Sequence, residues 1–119
     1  MASDPPAPAP VEPAEPEPTV HEAELASGPS GAVEWGAELT EEQAVQRRKQ
    51  GKDIVVRGPK QNVNKHKARQ IESAVGPCEE HEPHARAGPM ALPHFQQGSP
   101  PPAGHSFYER TRRKAKRKP

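Results

Sequence analysis

Residues 39–59 read Leu-Thr-Glu-Glu-Gln-Ala-Val-Gln-Arg-Arg-Lys-Gln-Gly-Lys-Asp-Ile-Val-Val-Arg-Gly-Pro, and this stretch decides the fold class. Thr40 stands three residues before Gln43, the spacing at which a hydroxyl and an amide side chain cap each other's backbone N–H groups. Leu39 is placed to pack on Ala44 across that cap. Glu41 and Glu42 suit the positive end of a helix, Arg47, Arg48 and Lys49 the negative end, and Gly51 a C-terminal stop. A helix over about 41–50 follows. Asp53-Ile54-Val55-Val56 then gives three consecutive β-branched residues closed by Gly58-Pro59, which predicts a buried or half-buried strand.

Working outward toward the C-terminus, Asn62 or Asn64 can cap a second helix through Lys67, Ala68, Ile71, Ala74 and Val75. That spacing of three and four lays a narrow apolar stripe on one face, ended by Gly76-Pro77. Lys65, Lys67 and Arg69 fall off the stripe and should face solvent. Beyond Pro77 the periodicity fails. Cys78 to Pro93 reads as loop, Leu92 to Gln96 and Ser106 to Glu109 as short strands, and Ser99-Pro100-Pro101-Pro102 as the turn between them. The expectation is one small α+β domain over 39–109, with two helices and a small sheet, flanked by disordered arms at 1–38 and 110–119. A core of that size is marginal, on the order of 3 to 5 kcal/mol, so a bound partner or metal would matter to it.

The arms are set apart by composition. Eight prolines fall in the first thirty residues, a pattern that favours extended polyproline segments with too little to bury against their ordering entropy. Within this arm Val33-Glu34-Trp35 is suited either to packing on the edge of the domain or to anchoring a short recognition segment. Residues 1–46 hold ten acids and no Lys or Arg, whereas 47–119 hold 17 Lys and Arg against six acids, so the near-neutral total of +1 conceals a strong separation. The acidic arm can fold back on the basic body, or the body can meet an external polyanion. Seven of the last ten residues are basic and only Ala115 is apolar, so that tail has no evident core to join.

Several function classes are excluded. No window approaches the length of a membrane span, and Met1-Ala2-Ser3-Asp4 opens without the basic and apolar regions of a secretory signal. One cysteine cannot form an internal disulfide, which fits a reducing compartment. The expected location is the cytoplasm, or delivery as part of a secretion system.

Five of the six histidines lie between 66 and 105. Cys78, His81 and His84 are each three apart, and His94 and His105 can complete a zinc-type set of thiolate and imidazole ligands, although only one Cys is present. A second reading makes His94 and His105 an acid–base pair on adjacent strands. Metal-free RNA cleavage needs one group to take the 2′-hydroxyl proton, another to protonate the leaving oxygen, and cations for the phosphorane. Arg57, Lys60, Lys65 and Arg86 are candidates to hold phosphate, and Tyr108 to stack on a base or donate a hydrogen bond. The plainer alternative is that these strands supply Phe95 and Phe107 to the core. Val56-Arg57-Gly58-Pro59-Lys60 lacks the spacing of a Walker loop, and Pro59 removes a backbone donor. Glu79, Glu80 and Glu82 argue against a nucleophilic Cys78. In the tail, Arg112, Arg113, Lys114, Lys116, Arg117 and Lys118 are suited to salt-dependent, sequence-blind binding of a polyanion such as nucleic acid.

The succession Gly51-Lys-Asp-Ile-Val-Val56, Ile71-Glu-Ser-Ala-Val-Gly-Pro77, His84-Ala-Arg-Ala-Gly-Pro89, Ala91-Leu-Pro-His-Phe-Gln96 and Gly104-His-Ser-Phe-Tyr-Glu109 resembles a small module found at the C-terminal ends of bacterial polymorphic toxins, the rearrangement-hotspot-type repeat proteins among them. The resemblance covers roughly residues 51–109. It implies a toxin-like domain acting on nucleic acid, with His94, His105 and Tyr108 as suspected site positions and an immunity or delivery protein as partner. The rival readings from other classes are a non-enzymatic protein that binds polyanions through its basic tail, and a small His/Cys zinc domain.

Overall fold

The capping pair at Thr40 forms as its spacing predicts. In the computed structural model, which describes residues 17–26, 31–83, 91–99 and 102–118, the Gln43 backbone N donates to Thr40 Oγ1 at 3.1 Å. In return the Thr40 backbone N donates to Gln43 Oε1 at 2.9 Å. Helix α1 (Glu41–Lys49) runs from this cap and buries Ala44 and Arg48. Gly51, at φ +79°, supplies the left-handed turn that leads into the Ile-Val-Val strand. Removing one capping oxygen typically costs about 0.5–2 kcal/mol. Thr40→Ala is therefore expected to lower the midpoint of thermal unfolding by several degrees, read by circular dichroism.

Chain order gives β1 (Thr19–Leu25), β2 (Val33–Leu39), α1, β3 (Ile54–Arg57), α2 (Gln61–Val75), β4 (Cys78–His81), β5 (His94–Gln97), β6 (Ser106–Tyr108) and β7 (Lys116–Arg117). The strands make one seven-stranded sheet, ordered β4-β5-β6-β3-β1-β2-β7. The fold is α+β, with a larger sheet than expected. Helix α2 starts at Gln61, after a Lys60 N-cap that makes no side-chain cap bond. Asn64 is no cap. It is buried, and its amide donates to the carbonyls of Gly58 and Glu109, tying the helix to the end of β3 and to the residue after β6.

Three segments depart from expectation. Residues 19–25 and 33–38, read as part of a disordered arm, form together with Leu39 an antiparallel hairpin, and β1 also pairs with the central β3. The surrounding prolines hid scattered apolar residues without a clean alternation: Val20 joins the helix-side core, Ala23 and Val33 the other, and the register shifts between His21 and Ala23. Cys78–His81, read as loop, is an edge strand without an apolar alternation of its own. Residues 116–117 of the basic tail add to β2 in parallel. Ala115 is buried and its N–H donates to Glu109 Oε2 at 2.8 Å, while Lys118 meets Glu24 at 2.8 Å. The acidic first part of the chain and the basic last part therefore fold back on each other, here as hairpin and tail.

The sheet has a core on each face. Both helices lie on one side, where Ala44, Ala68 and Ile71 pack on Val20, Ile54, Val56, Phe95 and Tyr108. On the other side Ala23, Val33, Val55, Leu92, Phe107 and Ala115 form a second cluster, with Trp35 against it. Between the helices and the sheet sits a fully buried ion pair. Arg48 Nε and Nη2 donate to the two oxygens of Glu72 at 2.7 and 3.1 Å. Gln97 and Ser106 also donate to that carboxylate, and Arg48 Nη1 donates to the carbonyls of Lys52 and Ala103. Gly104, at φ +97°, leaves the room this requires, since a Cβ there would sit 2.5 Å from Arg48 Nη1. Among the described residues no helix is long and apolar enough to cross a membrane.

Candidate active site

Strand pairing determines which of the sequence candidates meet. β5 and β6 are antiparallel with His94 opposite Phe107 and Phe95 opposite Ser106. Successive side chains alternate faces, so Phe95, Ser106 and Tyr108 point to the helices, and His94 and Phe107 to the other side. β4 sets His81 opposite His94. The result is a row of three imidazoles. The His81 and His94 rings stack at 5.5 Å with 9° between planes, and His105 meets His94 edge-on at 4.6 Å and 77°. Phe107 is the floor beneath the last two, 5.3 Å from His94 and 5.1 Å from His105.

His105 is held by Asp53. One oxygen, Oδ1, accepts from the His105 backbone N at 2.8 Å and lies 3.0 Å from Nδ1. A carboxylate on Nδ1 fixes the tautomer with its proton there and leaves Nε2 for chemistry. The parallel register of β3 and β6, Ile54 opposite Ser106, is what sets residue 53 beside residue 105. Nothing local in the sequence marks Asp53 for this task; only the pairing does. His94 Nε2 lies 3.1 Å from Gln96 Oε1. Burial, and then the neighbouring His105, pushes the His94 imidazole below its usual value of 6.5. The neutral form is favoured.

That depression has a consequence for stability. At pH above 6.5 His94 is neutral in both states, and below it the unfolded ring takes a proton before the folded one does. His94 therefore contributes stability above that value, lost as pH falls through the lowered folded one. Urea unfolding at about pH 7.5 and about pH 5.5 should show a loss at the lower pH that is smaller in His94→Asn.

The remaining candidates are dispersed. Tyr108 belongs to the helix side, where its hydroxyl donates to Glu80 and its ring packs near Phe95. Burial and Glu80 raise its phenol. It does not share a site with the two histidines, because residues 105 and 108 fall on opposite faces of β6. Cys78 and His81 are likewise split by their odd spacing on β4, and the thiol sits 3.5 Å from Ser73 Oγ. Among the described residues no group of three His, Cys, Asp or Glu is arranged to hold a metal, and His84 lies outside those residues. Lys65 pairs with Glu80 at 3.1 Å on the helix side. Arg57 and Arg117 converge on Trp35 rather than on the imidazoles, and Arg113 donates to the Ala91 carbonyl. Lys60, Arg112, Lys114 and Lys116 are exposed, and Arg86 is outside the described residues.

Comparison with protein-family models, curated proteins and solved structures found no match. What fold and site define is thus a class by chemistry: an α+β domain with a carboxylate-held imidazole touching a second, half-buried one.

Proposed function

We propose that this chain acts on nucleic acid as a polymorphic-toxin-like domain, and that its reaction is metal-independent cleavage of RNA at His94 and His105. The observation that carries the reading is the contact of two imidazoles at 4.6 Å with one of them held by Asp53. Neutral His94 takes the 2′-hydroxyl proton, and the 2′-oxygen attacks phosphorus. His105, oriented by Asp53 at Nδ1, gives a proton to the departing 5′-oxygen. The products are a 2′,3′-cyclic phosphate and a free 5′-hydroxyl. Tyr108 has no part in this step. An immunity or delivery protein is the partner such a domain calls for, and the cytoplasm of a cell is where its substrate lies. The test is incubation of the full chain with RNA in chelator, with a fully 2′-O-methylated RNA as control: cyclic-phosphate ends from the first only support the reading, and intact RNA with or without divalent metal rejects it. A non-catalytic alternative, polyanion binding by the tail, draws on the exposed Arg112, Lys114 and Lys116.

A further inference from the structure

At the other end of the same sheet face lies a second ring cluster. The guanidinium carbons of Arg57 and Arg117 stand over the Trp35 ring at 4.1 and 5.7 Å, and the His21 ring meets it at 5.0 Å. Each part is fixed. His21 bonds the Gly36 carbonyl through Nδ1 at 3.0 Å and Thr19 Oγ1 through Nε2 at 2.9 Å, and Arg57 Nε donates to Glu109 at 3.1 Å. Beside it the tail is docked as an edge: Lys116 and Arg117 pair with Glu34 and Trp35, and the Lys118 N–H donates to the Trp35 carbonyl at 2.9 Å. The side chains of Lys114, Lys116, Arg117 and Lys118 are nevertheless exposed, and Glu24, the hairpin acid paired with Lys118, is exposed as well.

We propose that this end of the sheet is a docking surface for single-stranded RNA, with bases stacking on the Trp35–arginine cluster and phosphates taking the tail's cations from the hairpin glutamates. Charge complementarity argues for the occupant. One tail cation, Lys118, already pairs with a carboxylate, Glu24, and phosphates at regular spacing satisfy more of the tail's cations than isolated carboxylates do. Flat rings and guanidinium planes accept the faces of unpaired bases, which a duplex keeps covered. The choice of RNA rests on the cleavage reading above; the surface itself does not need the imidazoles.

The chain's single tryptophan makes the test direct. The full chain is titrated with a 2′-O-methyl oligouridine, which binds but cannot be cut by its own 2′-oxygen. The expected result is a change in Trp35 emission that saturates with the oligonucleotide and weakens steeply with salt. Trp35→Leu should lose roughly ten-fold or more in affinity, Trp35→Phe should keep most of it, and Glu24→Gln with Glu34→Gln should gain several-fold. Wild-type emission needs no substitution, so a misfolded Trp35→Leu leaves the test intact. Binding with unchanged Trp35 emission overturns the proposal, and so does an equal response to heparin, which has charge but no bases. Emission change without cleavage of unmodified RNA rejects the imidazole chemistry and keeps this surface; cleavage without emission change does the reverse.

Discussion

Glu72→Ala is expected to bring the protein to the edge of unfolding at room temperature. The substitution removes one carboxylate but strands four donors: two from Arg48, one from Gln97 and one from Ser106, all directed at its oxygens. Arg48 and Glu72 are both 0% exposed, so the guanidinium left behind has no solvent to turn to. Breaking a buried pair from one side typically costs about 3–5 kcal/mol, comparable to the whole stability of a domain at the low end of about 5 kcal/mol. The pair also joins α1 to α2 and, through Gln97 and Ser106, both helices to β5 and β6. The loss should therefore be global rather than confined to one element. Urea unfolding followed by circular dichroism gives the measurement, with no cooperative transition, or a midpoint displaced to very low urea, as the expected result. Replacing both partners, Arg48→Met with Glu72→Leu, should recover much of the loss, because an apolar pair of similar volume needs no counter-charge. Retention of a near-native midpoint by Glu72→Ala alone would mean that water reaches the guanidinium.

This pair also marks the limit of what the sequence makes legible. Arg48 reads as one of three basic residues favoured at a helix C-terminus, and so it is, yet its side chain turns inward while Arg47 and Lys49 do not share its burial. Glu72 stands one place after Ile71 on the apolar stripe of α2, where a carboxylate has no reason to be until its partner is known. Local signals were sufficient where the energetics are local: the Thr40–Gln43 cap, the Ile-Val-Val strand and the stripe through Ala68 and Ile71. They failed where stability comes from pairing distant segments. The β1–β2 hairpin owes its place to β3, and β7 to an acidic partner 94 residues away in sequence, Glu24 for Lys118. The same division holds for the site. His94 and His105 stand out by residue type and by the apolar motifs around them, but Asp53 enters only through the parallel register of β3 and β6. Tyr108 was a natural companion for His105 on a line of text and is separated from it by the thickness of a sheet.

Asp53→Asn is the substitution that distinguishes a working imidazole pair from a packed one. If His105 serves as the acid, the carboxylate on Nδ1 holds the ring and fixes its tautomer, and an amide at that position offers no fixed tautomer. RNA cleavage should then fall about 10²–10⁴-fold, the range associated with losing a positioned proton donor. His105→Ala and His94→Ala should each fall by a similar factor, and the double variant little further, because the two groups act in one step. The pH profile supplies a readout that simple loosening of the fold does not move. With His94 held below its usual value of 6.5, the limb of the rate profile that reports the base should lie on the acid side of 6.5. In Asp53→Asn that limb should persist at the reduced rate, since the base is intact. Undiminished RNA cleavage by Asp53→Asn would place Asp53 in the architecture and not in the proton transfer, and the assignment of His105 as the acid would fall with it.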